Sequence, residues 1–158
     1  MTEKNREVKT ITRYHDYLKR IQSGQKGLNP YLDYFKITMK DLGNGCACFQ
    51  MPVRPEYLQG AGVMQGGLIV ALADEAIAHA MMTQLNPEED LTTIELKSNF
   101  LSSAAEGELF AEAHVFKKGR SLMIGDCIVK NETGKSVCRV SATFLLLKKK
   151  EDDKDNNR

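Results

Sequence analysis

Between Gly66 and Met82 the chain sets two carboxylates and one imidazole into an otherwise apolar run. From Leu68 to Met82 the only polar residues are Asp74, Glu75 and His79. A helix that is apolar all round is normally buried. The run is too short for a membrane span and is broken by two acids. Carboxylates on a buried helix cost free energy, and such groups gather at sites. Gly66-Gly67 opens the run. Backbone N–H groups at a helix start, with the helix dipole behind them, can hold a developing oxyanion, and glycine allows a ligand to approach them closely. Gly66 and Gly67 are therefore oxyanion-donor candidates; the alternative is a plain tight turn into a buried helix. On helical spacing Asp74 shares a face with Gly67, Val70, Ala71, Ile77 and Ala78. Either an acid–base role or a structural, hydrogen-bonded carboxylate fits that placement. Glu75 lies about 100° further round the helix. Its spacing to His79, four residues on, favours a local pair on another side. A Ser–His–Asp hydrolase triad has no support, because no Gly-x-Ser-x-Gly occurs. His15 and His114 fall on a surface helix and a strand.

Residues 6–23 read as an amphipathic helix on Val8, Ile11, Tyr14, Leu18 and Ile21, stopped by Ser23-Gly24. Gly27-Leu-Asn-Pro30 breaks the chain. From Tyr34 the period becomes two, with Phe35, Ile37 and Met39 alternating with Lys36, Thr38 and Lys40. A turn at Asp41–Gly45 and a returning strand from Cys46 to Val53 complete a hairpin. Residues 54–62 form a loop into the central helix. Four strands follow, at about 92–101, 108–117, 120–130 and 136–147, joined by short polar turns that imply antiparallel neighbours. In the first, Ile94, Leu96 and Phe100 lie opposite Thr93, Glu95 and Lys97. The tail from Lys148 lacks apolar residues and is expected to be disordered. One flat sheet cannot cover a helix on every side. The expectation is an α+β domain whose single antiparallel sheet curls round a central helix, completed by a partner chain.

The 158 residues suit one domain, with 42% apolar and 27% charged residues and a net charge of +1. That balance gives no electrostatic case for nucleic acid. The N-terminus lacks a signal-peptide pattern, so a cytoplasmic location with four reduced thiols is expected. Cys46, Cys48, Cys127 and Cys138 show no metal-ligand spacing, and all four are expected to be buried structural thiols.

Gln65-Gly66-Gly67, six residues and Asp74 resemble the His-Gly-Gly-x6-acid motif of the PaaI-like hotdog acyl-CoA thioesterases. Thr93 to Ser102, Lys117 to Leu122 and Gly134 to Leu146 resemble the strands and turn that follow it. The likeness covers about residues 32–147. It implies a hotdog domain at 31–147, an N-terminal helical extension at 1–30 and a charged tail at 148–158. It also implies a homodimer or a tetramer that binds acyl-CoA at its interface, with no metal and no cofactor beyond the CoA of the substrate. Asp74 matches the catalytic acid, as general base or as nucleophile. Gln65 stands for the family's histidine and Gln59 for its asparagine; both keep amide donors. Thr93 stands where a hydroxyl can help the acid or the water. Lys117, Lys118, Gly119 and Arg120 stand near the CoA nucleotide, where cationic donors suit phosphates. The implied reaction is hydrolysis of an acyl-CoA to free acid and CoA. The alternative is an acyl-CoA binder of the same fold, motivated by Gln in place of His. A hotdog hydratase ranks last.

Overall fold

A computed structural model describes residues 13–148. The order is helix α1 (Arg13–Gln22), short helix α2 (Pro30–Tyr34), strands β1 (Thr38–Gly43) and β2 (Cys46–Pro52), a 3-10 turn (Pro55–Tyr57), helix α3 (Gly66–Met82), then strands β3 (Glu89–Phe100), β4 (Glu108–Lys118), β5 (Leu122–Asn131) and β6 (Ser136–Lys148). The six strands make one antiparallel sheet in the order β1-β2-β4-β5-β6-β3. The sheet curves round α3, as the alternation of its strands requires: Ala47, Phe49 and Met51, Leu109, Ala111 and Ala113, and Met123, Cys127 and Val129 all face inward and are buried. From the helix they meet Ile69, Leu72, Ala73, Ala76, Ile77, Ala80 and Met81. Gly125 sets the closest approach. A Cβ there would lie 2.8 Å from the His114 carbonyl oxygen and 3.3 Å from an Ile77 methyl.

Four details depart from the sequence reading. First, Tyr34 is helical rather than the start of a strand. Asn29 takes an extended conformation, its side chain accepts hydrogen bonds from the Tyr31 and Leu32 N–H groups, and Pro30 opens α2 without needing a donor. Second, β3 and β4 are not neighbours. Segment 101–107 crosses from the β3 edge to the middle of the sheet. On the way, the Ala104 carbonyl accepts from Met64 N–H (2.7 Å) and the Gly107 carbonyl from Val53 N–H (2.8 Å). Third, β3 bulges between Thr93 and Glu95. Thr93 pairs with Phe144, whose side chain is buried, and Leu96 with Ala142, also buried. The extra residue, Ile94, therefore puts Thr93 on the same inner face as Leu96, Ser98 and Phe100 rather than opposite them. Fourth, Cys127 and Cys138 are buried, but Cys46 is exposed and Cys48 only half-buried on the outer face of the sheet. Cys46 and Cys48 alternate with buried Ala47 and Phe49, and no helix among the described residues covers that face.

The expected helix over 6–23 is observed from Arg13, and its first part lies outside the described residues. So does the tail beyond Lys148, which itself ends β6 opposite Glu89. No helix of the described residues is long and apolar enough to cross a membrane.

Candidate active site

The start of α3 is held from three directions. Leu58 and Met64 form an isolated bridge, Gln65 N–H donates to the Tyr57 carbonyl (2.9 Å), and the crossing segment takes Met64 N–H. Gln65 is the N-cap, and its side-chain oxygen accepts from Gly67 N–H at 2.7 Å. The candidate oxyanion donor is thus closed by the chain's own amide, an exposed group free to rotate away. The Phe100 ring lies over Gly66, so close that a Cβ there would sit 2.9 Å from the ring. A side chain at position 66 would have to push that ring aside. Gln59 is exposed in the preceding loop, and its side-chain oxygen accepts from Ala61 N–H (2.7 Å).

Asp74 lies two turns along α3, half-buried and facing β3. Its Oδ1 accepts from the Thr93 hydroxyl at 3.2 Å. Burial pushes its carboxyl above the ordinary range, and the Thr93 hydrogen bond opposes that shift. The structure thus joins Asp74 to Thr93. It separates both from Gly67, because seven residues of helix span about 10 Å.

Glu75 points the other way, into a polar network that sequence reasoning did not find. The Asn29 amide donates to the Glu75 carboxylate and to the Tyr17 hydroxyl (3.2 Å). Tyr17 lies 2.9 Å from His79 Nε2, and His79 Nδ1 lies 2.8 Å from the Glu75 main-chain carbonyl. A carbonyl only accepts, so Nδ1 carries the ring proton and Nε2 accepts from Tyr17. Burial lowers the His79 pKa and keeps the imidazole neutral; the ring is 1% exposed. The expected Glu75–His79 pair is therefore a ring-to-main-chain hydrogen bond, with Glu75 Oε1 at 3.7 Å from Nδ1. Burial also raises the Glu75 pKa, although Asn29 opposes it. Beside the two acids, the buried Tyr31 hydroxyl has no hydrogen-bond partner among the described residues. Helical spacing hints at Glu75 and His79, but residues 17, 29 and 31 are distant in sequence and show no shared period with them.

The basic turn lies level with this region. Leu122 pairs with Leu145, which pairs with Thr92, so the β4–β5 turn is two strand spacings, about 10 Å, from β3. Lys117 and Arg120 are exposed and Gly119 is half-buried. Lys118 is already engaged, its Nζ donating to Glu89 (2.5 Å) and to the Gln84 carbonyl (2.8 Å). Among the described residues, no cluster of three or more His, Cys, Asp or Glu side chains could hold a metal ion.

This architecture, with one long helix inside a curled antiparallel sheet and a glycine-opened helix start, is the hotdog fold. The sequence model of the thioesterase superfamily matches residues 61–138, from the loop before α3 to the start of β6. A 1,4-dihydroxy-2-naphthoyl-CoA hydrolase of Listeria monocytogenes is 27% identical over 114 residues, covering 72% of this chain and 93% of that protein. A thioesterase of Haemophilus influenzae shares the fold with a TM-score of 0.75 at 22% identity, over 83% of this chain and 90% of that one. A variant of the phenylacetic acid degradation protein PaaI of Thermus thermophilus gives a TM-score of 0.70 at 24% identity, over 75% and 100%. Over residues 61–138 the chain matches the thioesterase superfamily, and in fold it is similar to the PaaI-like hotdog thioesterases.

Proposed function

We propose that this protein hydrolyses an acyl-CoA to the free acid and CoA, with Asp74 as the reacting carboxylate. The observation that carries the reading is Asp74 itself: a half-buried acid on an apolar helix, held by the Thr93 hydroxyl, with its pKa raised by burial. A carboxylate so placed is a stronger base than one in water. It takes a proton from water while the hydroxide attacks the thioester carbon, or it attacks that carbon directly. The oxyanion is received at the start of α3, at the Gly66 and Gly67 N–H groups, once the Gln65 side chain swings off Gly67. Gln65 and Gln59 supply amides to orient the carbonyl or the water, and Thr93 orients Asp74. Lys117, Gly119 and Arg120 receive the CoA phosphates, with Lys118 fixing the turn.

One thioester carbonyl cannot touch both Gly67 and Asp74 of the same chain across about 10 Å of helix. A two-fold axis beside α3 places the helix start of one copy against Asp74 of the other. The β3 edge suits that axis: no described strand lies beyond it, and it exposes Ile94 (55%), Leu96 (37%) and Phe100 (56%). The protein is read as a homodimer with two composite sites. The 27% identity to a naphthoyl-CoA hydrolase supports a CoA ester as the substrate class.

A thiol-release assay over acyl-CoAs of varied chain length and aromatic acyl groups tests the reading. Asp74→Ala should lower turnover of the best substrate by about 10²–10⁴-fold with the fold intact. Parent-level turnover in that variant would overturn it. A second reading, an acyl-CoA binder without turnover, draws on the Gln65 oxygen closing the Gly67 donor. Tight binding of CoA esters with no thiol release from the parent would select it.

A further inference from the structure

On the outer face of the sheet, away from α3, three side chains stand in a row. The register pairs Cys46 with His114 across β2 and β4, and His114 with Asp126 across β4 and β5. The Val115 N–H donates to the Gly45 carbonyl (2.8 Å), so the adjacent Cys46–His114 pair is of the non-hydrogen-bonded kind. Opposed Cα atoms in such a pair are only about 4.5 Å apart, and their side chains are neighbours. His114 Nδ1 lies 2.9 Å from Asp126 Oδ1, and Arg139 Nη2 lies 3.4 Å from Asp126 Oδ2. With Nδ1 donating to Asp126, Nε2 is left to exchange a proton. The row lines a hollow of about 360 Å³, together with Asp41, Cys48 and Glu112. Cys48 lies on the same strand face, but its register partner is Glu112, not a histidine, and burial beside that acid raises its pKa.

We propose that Cys46 is a nucleophilic thiol served by His114 and Asp126, and that it takes a small zwitterionic disulfide of the amino-acid type. In the step, His114 Nε2 accepts the Cys46 thiol proton and the sulfur attacks one sulfur of the disulfide. The new S–S bond forms as the old one breaks, and the leaving thiolate takes the proton back from His114. No electrons leave the system: one disulfide is exchanged for another. Asp126 orients the imidazole and balances its transient charge, as a carboxylate does behind a catalytic histidine. The mixed lining suits a zwitterion: Glu112 is held by Lys130 Nζ (2.5 Å), Asp41 faces an ammonium, and the exposed Arg139 guanidinium faces a carboxylate. The hollow lies on the opposite side of the sheet from Asp74, so this chemistry does not depend on the thioesterase reading.

The test uses the full chain, reduced and then exposed to cystine, with adducts followed by intact mass and mapped by peptide analysis. The expected result is one half-cystine adduct at Cys46, with Cys48 unmodified. The rate should fall at least about tenfold in His114→Gln, which keeps a polar side chain but cannot carry the proton. Cystamine, a dication, should react more slowly than cystine in the parent, and that preference should shrink in Arg139→Gln. An unchanged Cys46 rate in His114→Gln overturns the proposal, as does equal labelling of Cys46 and Cys48. So does an unlabelled native protein whose four thiols all react once unfolded.

Discussion

Asp74, the proposed reacting carboxylate, is costly to place. Between the ordinary carboxylate pKa and its raised native value, the folded chain binds the extra proton. This group therefore favours folding at acid pH, and that contribution is lost as pH rises through the native value. Asp74→Asn should accordingly raise the melting temperature at neutral pH while abolishing thiol release. The thermal gain should disappear below the ordinary carboxylate range, which a pair of melting curves at two pH values would show. Thr93 acts on the same carboxylate in the opposite direction, because its hydroxyl stabilises the charged form. Thr93→Val should move the acid limb of the kcat/KM profile to higher pH, and Thr93→Ser should restore it. A limb that stays in place in Thr93→Val would remove Thr93 from the site.

At the scale of elements, α1 and α2 act as a cover on the side of α3 that the sheet leaves open. Asn29 is the joint: it caps α2 through its oxygen and holds Glu75 and Tyr17 through its nitrogen. Asn29→Ala removes a helix cap and leaves a buried acid without its donor. A loss of about 2 kcal/mol in chemical denaturation is expected. The alternation of β2 and β4–β6 and the apolar run of α3 made the sheet and its central helix readable from sequence alone. The polar joint was not, because Tyr17, Asn29 and His79 meet only through tertiary packing. Gly66-Gly67 and Asp74 were readable through their spacing. The inward turn of Thr93 was not, since strict alternation puts it on the opposite face from Leu96 and only the bulge at Ile94 reverses that. The exposure of Cys46 escaped for a related reason: small thiols resemble core residues in composition, and only the register shows which face they occupy.

For the whole molecule, the proposed two-fold axis at the open β3 edge would tie assembly to chemistry. Leu96→Asp puts a charge into the apolar strip of that edge and should yield a folded monomer that has lost most of its turnover. Sedimentation and thiol release measured on the same sample would check both halves; a fully active monomer would exclude the composite site. The bulge in β3 also has a consequence for reading related chains. It works as a phase correction: the strand before it and the strand after it obey the same in–out alternation, offset by one residue. A homologue of the same length that pairs here in strict alternation keeps its apolar strip inward only by turning its hydroxyl to solvent. Two residues, rather than one, between the threonine and the first inward leucine therefore require this bulge if the hydroxyl is to reach the helix acid.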